Sequence, residues 1–319
     1  MEFKVVKRKA LVTGGAGFIG SHLCNKLSKN NYDVIAYDDL SNGSGQKNLL
    51  REIKFVKGDI LDIKKVTDLC KKVNVVFNLA VKPLVMSFYD PDEVVRVNDF
   101  GTYIVCKTCV ETKTKLIHVS SSEAYGSAIS LPMKETHPLL PSTIYASSKA
   151  ASELYVRGFE KTNGLKMVIV RPFNCYGEFM RSDVYGAVFP KFFDRLNQGK
   201  VCTITGNGKQ TRDFTYVDDT CEGVMLADYT KNAIGNTFNI AQGKETSINK
   251  IAQLMTRNYN EITGKHISLK FQYTKSRSGD VKRHLADISN AKKILGYKPK
   301  VEFNEGLRRF IEWGIKNNK

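Results

Sequence analysis

An α/β fold, with a doubly wound parallel sheet and a smaller C-terminal α/β lobe, is predicted by three observations on the 319-residue chain. Short apolar runs alternate with helical stretches through the first half, the rhythm of right-handed β-α-β units and a parallel sheet. A glycine-rich turn, Thr13 to Gly20, joins the first run to the first helix. A tyrosine and a lysine, Tyr145 and Lys149, stand one helical turn apart further on.

The elements follow in order. Lys9 to Thr13 reads as a buried strand, Gly20 to Lys29 as a helix and Asp33 to Asp38 as a second strand. Ile53 to Lys57 and Val73 to Leu79 are further short apolar runs, with Ile63 to Lys71 helical between them. Asn98 to Glu111 is helical, Leu116 to Ser120 a strand, Tyr145 to Lys161 a long helix and Lys166 to Arg171 a strand. From about Cys175 the rhythm loosens: glycines and prolines enter loops, and helices are expected near Pro190 to Asn197, Val217 to Tyr229, Ser247 to Ile262 and Asn304 to Asn317. Residues 1–174 are therefore read as a dinucleotide-binding domain and 175–319 as a second lobe, with a strand at Thr237 to Ala241 expected to rejoin the first sheet.

Composition narrows the class. Hydrophobic content of 42% and charged content of 25% are ordinary for a globular protein. No apolar run approaches the roughly 18 residues of a membrane helix, and Met1 to Lys9 lacks a secretory apolar stretch, so a cytoplasmic protein is expected. The seven cysteines are scattered; Cys106 and Cys109 form a lone C-x-x-C, read as two reduced thiols packed in a helix and not as a metal site. The net charge of +17 comes from lysines spread along the whole chain, which argues for a solvated surface and against a nucleic-acid patch.

Gly14, Gly17 and Gly20, enclosing Phe18 and Ile19, sit directly after a strand and open a helix. Glycines there let the turn tighten and let backbone approach a pyrophosphate, while the helix amino end supplies N–H groups and partial positive charge. This is the phosphate cradle of a Rossmann-type fold. Eighteen residues beyond Gly20 the second strand ends in Asp38-Asp39, placed to accept hydrogen bonds from ribose hydroxyls and to repel a 2′-phosphate. The cofactor expected is NAD. Asp59, in Gly58-Asp59-Ile60, falls where the adenine edge would lie.

Tyrosine is a poor base at its solution pKa of about 10. A lysine at i+4 is expected to stabilise the phenolate, lower that pKa and reach the nicotinamide ribose. Ser121 and Ser122, in the serine-rich strand end Val119 to Gly126, offer hydroxyl donors to a substrate.

With these residues in place the chain resembles the extended short-chain dehydrogenases/reductases that act as nucleotide-sugar epimerases and dehydratases. The matching segments span nearly the whole chain: T-G-G-A-G-F-I-G-S-H-L, D-D-L-S-N-G, N-L-A, N-D-F-G-T, S-S-S-E-A-Y-G, Y-A-S-S-K, R-P-F-N-C-Y-G, R-D-F-T-Y-V-D-D and R-S-G-D-V. The resemblance implies tightly held NAD, a UDP- or dTDP-hexose as substrate and a homodimer. It assigns Asp38, Asp39, Asn42 and Gly43 to the adenosine ribose, and Leu79, Ala80 and Lys82 to the cofactor's phosphates and ribose, with Asn98 on the cofactor side. It places Asn174, Arg212, Arg277 and Asp280 on the substrate nucleotide. The segment Lys82 to Phe88, including Met86, together with Tyr185 and Phe189 beyond, is expected near the sugar.

The reaction implied begins with Tyr145 taking the C4 hydroxyl proton while C4 gives up hydride. Glu123 then discriminates: in the frame Ser121-Ser122-Glu123 it resembles the carboxylate with which sugar dehydratases take the C5 proton. A 4,6-type dehydratase ranks first, a 4-epimerase second and a glucuronate-type decarboxylase, with Arg283 as its carboxylate-holding cation, third. Outside enzymes, a catalytically silent dinucleotide sensor stays open.

Overall fold

The computed structural model describes residues 7–41, 45–180, 188–268, 270–275 and 283–317. Asn42, Gly43, Tyr185, Arg277 and Asp280 lie outside them.

The chain begins with strand β1 (Arg8–Thr13), helix α1 (Phe18–Lys29), β2 (Tyr32–Asp38), β3 (Lys54–Lys57), α2 (Ile63–Cys70) and β4 (Val75–Asn78). A short helix α3 (Pro91–Val95) leads into α4 (Gly101–Thr112), then β5 (Lys115–Val119), the long α5 (Ile144–Asn163) and β6 (Met167–Pro172). The second half adds β7 (Cys175–Tyr176), α6 (Val188–Asn197), β8 (Cys202–Thr205), β9 (Thr211–Asp213), β10 (Thr215–Tyr216), α7 (Val217–Tyr229), β11 (Thr237–Ile240), β12 (Glu245–Ser247), α8 (Ile248–Thr263), β13 (Phe271–Thr274) and α9 (Phe303–Asn317).

Among the described residues, seven strands form one parallel sheet in the order β11-β6-β5-β4-β1-β2-β3. Its central strands are apolar on both faces because helices cover both, and Val75, Val76 and Phe77 have no exposure at all. The order reverses between β1 and β4, so their carboxyl ends diverge into a crevice, the place where such sheets bind ligands. Thr13 pins the two ends: its hydroxyl donates to Asn78 Oδ1 at 2.7 Å and accepts from the amides of Leu79 and Ala80.

Beyond β6, α6, α8 and α9 pack around Tyr176, Phe189, Phe214, Phe303 and Phe310. This lobe is not severed from the sheet, since β11 pairs with β6 (Thr237 opposite Ile169). No described helix is long and apolar enough to cross a membrane.

One local expectation is corrected. The helix expected from Asn98 starts at Pro91, capped by the Asp90 carboxylate accepting from the Glu93 amide at 3.1 Å. It passes through a π turn at Arg96–Phe100 before α4, and such a turn re-aims the side chains within it. All seven cysteines are free thiols, yet Cys109 meets Cys70 on α2 across the helix pair.

Candidate active site

The glycine turn owes its shape to backbone packing that tolerates no side chain. A Cβ on Gly20 would lie 1.9 Å from the Gly14 carbonyl oxygen. Gly14 itself has a φ of +66° with the Leu79 and Ala80 backbone 2.9 Å from where its Cβ would sit. Helix α1 opens at Gly17 without a side-chain cap or an acid in its first turn, leaving its amino-terminal N–H groups for an anion.

The turn forms one wall of a cleft of about 470 Å³ at the carboxyl ends of the strands. Gly14, Gly17, Phe18, Ile19 and Gly20 line it, as do Asp38, Asp39, Asp59, Ile60, Leu79, Ala80 and Lys82. The opposite end is lined by Ser121, Ser122, Glu123, Tyr145, Lys149 and Asn174. One crevice therefore joins the cradle to the tyrosine and lysine.

The two aspartates differ in their bonding. Asp38 is buried, accepting from the Ala16 amide at 3.0 Å and the Leu40 amide at 2.7 Å, so it braces the turn while lining the cleft. Burial raises its pKa against those two donors. Asp39 is more open; burial works against its charge, but the Ser41 hydroxyl and amide and Lys82 hold it below the usual carboxylate range. Lys82 is almost sealed, with Nζ 2.8 Å from Ser41 Oγ and 3.5 Å from carboxylate oxygens of Asp39 and Glu93.

Tyr145 and Lys149 share one face of α5, which the Thr143 hydroxyl caps by accepting from the Ala146 amide at 3.1 Å. Without cofactor, other neighbours than the lysine govern the phenol. Burial, with the Glu123 charge acting the same way, pushes Tyr145 up to about 12, and only the hydrogen bond from Ser121 lowers it. Lys149 Nζ instead donates to the Val119 carbonyl at 2.7 Å, and burial brings the ammonium down to about 8 against the charges of Glu153 and Asp99.

Three further assignments change. Asn98 is 2% exposed and stands off the cleft: Oδ1 accepts from the Lys82 amide at 2.8 Å, while Nδ2 donates to Ser148 Oγ at 2.9 Å and the Lys82 carbonyl at 3.2 Å. It holds the Lys82 backbone. Phe189 belongs to the second lobe's core, 1% exposed with its ring centroid 4.6 Å from that of Tyr176. Met86, in the turn Leu84–Phe88, stands outside the cleft wall, which Pro83 and Leu84 supply. Arg212, half-buried on β9, donates to the Thr211 carbonyl at 3.0 Å. Arg283 is ion-paired with Glu245, so its charge is already met.

Residues that the sequence reading passed over also stand here. Ser120, Cys175 and Met180 line the cleft. His284 is sealed from solvent, with Nε2 2.9 Å from the Gly126 carbonyl at the end of the turn carrying Glu123. No local spacing announces it, because the contact joins residues far apart in the chain.

A glycine cradle, a ribose-side carboxylate and a half-buried tyrosine with a buried lysine in one crevice define an NAD-dependent enzyme of the nucleotide-sugar dehydratase and epimerase class. Residues 11–310 match the family model described as GDP-mannose 4,6 dehydratase, and the chain belongs to that family, within the extended short-chain dehydrogenases/reductases. It is 36% identical to a putative UDP-glucose 4-epimerase of Methanocaldococcus jannaschii, over 97% of this chain and 99% of that protein. It is 33% identical to human dTDP-D-glucose 4,6-dehydratase, over 97% of this chain and 91% of that protein. A UDP-glucuronic acid 4-epimerase from Bacillus cereus, solved with UDP-glucuronic acid and NAD, superposes with a TM-score of 0.89 at 34% identity, covering 98% of this chain and all of that one.

Proposed function

We propose that this protein is a 4,6-dehydratase acting on a UDP- or dTDP-hexose. The observation that carries the reading is Glu123, whose carboxylate lines the cleft and whose charge acts on the Tyr145 phenol. A plain 4-epimerase has no need of a second acid/base at that place.

When bound in the crevice, NAD would supply the acceptor for the C4 hydride and the source of its return. Gly14, Gly17 and Gly20 with the α1 amino end would hold its phosphates, Asp39 its adenosine ribose, and Lys82 and Lys149 the rest. Tyr145 takes the C4 hydroxyl proton as a phenolate, a form that the Ser121 hydroxyl and the cationic charge at Lys149 favour. The C4 carbonyl acidifies the C5 hydrogen; Glu123 takes that proton and gives it to the departing C6 hydroxyl, which leaves as water with a C5–C6 double bond formed. C6 then takes back the hydride while C5 takes a proton delivered by Glu123, equal in number to the one Tyr145 removed from the C4 hydroxyl. Residues 175–319 would form the nucleotide-sugar lobe, with Asn174, Arg212, Arg277 and Asp280 toward the diphosphate and ribose.

Exposed side chains on the π turn, α4 and α5 (Phe100 and Tyr103 with ring centroids 5.8 Å apart, Tyr155 edge-on to Tyr103, and Leu154) support a homodimer through those helices. Free thiols throughout support a cytoplasmic setting.

The test is incubation of purified protein and NAD with UDP- and dTDP-hexoses, with products read by mass. Loss of one water supports the dehydratase, whereas an isobaric product means a 4-epimerase. Loss of carbon dioxide from a UDP-glucuronate would mean a decarboxylase, a reading that the Arg283–Glu245 pair disfavours.

A further inference from the structure

His284 sits where the second lobe meets the turn that carries Glu123, and it bonds to both. Its backbone runs beside β9. Arg283 bridges to Thr211, the His284 amide donates to the Thr211 carbonyl at 3.3 Å, and the Ala286 amide donates to Asp213 Oδ2 at 3.3 Å. Those contacts fall on either side of Arg212, the residue expected toward the substrate nucleotide. The His284 ring reaches the first domain: Nε2 lies 2.9 Å from the Gly126 carbonyl, and the ring stands 5.9 Å, centroid to centroid, from that of Phe173.

Gly126 is the residue through which such a contact can set Glu123. Its amide donates to the Glu123 carbonyl at 2.9 Å and so closes the turn Ser122–Tyr125. Its φ is +67°, and an added Cβ would run into the Leu140 carbonyl oxygen, so the residue has little room to move. Holding its carbonyl therefore also holds the amide that is bonded to Glu123.

A carbonyl oxygen only accepts, so Nε2 of His284 carries the proton. Burial lowers the pKa of the ring, with the Glu123 charge working the other way, and the imidazole is neutral at pH 7. Nδ1 is then a bare acceptor, sealed, with no hydrogen-bond partner among the described residues. Leaving it so is unfavourable, and a side chain kept only to fill that space could be apolar. What the imidazole adds is its one bond to Gly126.

We propose that His284 is a positioning residue that holds the Glu123 turn through the Gly126 carbonyl and registers that turn against β9 of the second lobe. The inference rests on the reading of Glu123 as the C5 base. It makes the aim of that base depend on the lobe that would hold the nucleotide. No proton passes through His284; the ring is a fixed donor.

The experiment compares His284→Gln, His284→Asn and His284→Leu in the full chain. A glutamine amide nitrogen can take the place of Nε2, whereas an asparagine amide takes that of Nδ1, where it meets nothing. With NAD and the nucleotide hexose that the wild type turns over, C4 oxidation is read by absorbance of the reduced nicotinamide and dehydration by product mass. In His284→Leu and His284→Asn, water loss should fall roughly ten- to a hundredfold while C4 oxidation and NAD affinity hold. His284→Gln should restore most of it. Dehydration at the wild-type rate in every variant overturns the proposal. So does a loss shared equally by oxidation and dehydration, or one that glutamine relieves no better than asparagine, since either marks only a loosened fold. Hydrogen exchange of the NAD-free protein puts the question without turnover. Peptides over residues 121–126 should exchange faster in His284→Leu and His284→Asn than in the wild type and His284→Gln, with α4 unchanged. If the wild type releases no water from any nucleotide hexose, the dehydratase reading fails and exchange still decides this one. Unchanged protection of that turn, or a loss that spreads equally to α4, overturns it.

Discussion

Arg171 and Glu153 are joined by two hydrogen bonds of 2.9 and 2.6 Å, with side chains only 4% and 1% exposed. The guanidinium also donates to the Tyr125 hydroxyl at 2.7 Å and the Glu135 carbonyl at 3.0 Å, and Tyr125 donates on to Asn239 at 2.7 Å. This network ties α5, which carries Tyr145 and Lys149, to β6, β11 and the turn carrying Glu123. Glu153→Gln leaves the buried guanidinium without its counter-charge. The expected cost is roughly 3–5 kcal/mol, read by urea unfolding. Combining it with Arg171→Met should cost less than the two single changes summed, because no charge is then stranded.

Gly20→Ala is expected to weaken NAD binding at least roughly tenfold in calorimetry, about 1.4 kcal/mol. Its methyl meets backbone, the Gly14 carbonyl oxygen at 1.9 Å, so relief requires the turn itself to open. Gly158→Ala on α5, where nothing lies within 4 Å of the added Cβ, is the control. It should bind NAD as the wild type does and gain up to about 1 kcal/mol from helix propensity.

The parts of this site that were legible in the sequence are those encoded by spacing along a single element. The glycine turn, Asp38-Asp39 and the Tyr145–Lys149 interval each follow from the geometry of one strand end or one helix. What escaped depends on approach between distant segments: Lys149 on the Val119 carbonyl, His284 on the Gly126 carbonyl, Arg171 on Glu153. Phe189 was misplaced because an apolar residue near pocket loops reads alike whether it faces a sugar or a core. Asn98 was put against the cofactor, when an unforeseen π turn gives its amide to Lys82 and Ser148.

Glu123→Gln is expected to abolish loss of water while leaving NAD affinity unchanged, since the amide keeps the shape of the side chain and loses the base. Oxidation at C4 should survive, because Tyr145, Ser121 and Lys149 are untouched. The measurement is product mass together with absorbance of the reduced nicotinamide. Normal dehydration by this variant would make Glu123 a structural acid and move the proton transfer at C5 elsewhere.

Lys149→Met should stabilise the NAD-free protein near neutral pH and lose that advantage in alkali. Burial lowers the Lys149 pKa from the usual 10.5 to about 8, so between those values the unfolded chain holds a proton that the native protein has released. Stability of the wild type should therefore rise with pH across that window. Below pH 8 the lysine is charged in both states and folding bears the full cost of burying it, on the order of 3 kcal/mol. Above about pH 10.5 it is neutral in both states and the cost is gone. The melting-temperature gap between Lys149→Met and wild type should be widest near pH 7 and close by roughly pH 10.5. A gap that stays constant over that range would mean that the lysine ammonium is not strained by its burial, and the variant, having lost the cation beside Tyr145, should be inactive either way.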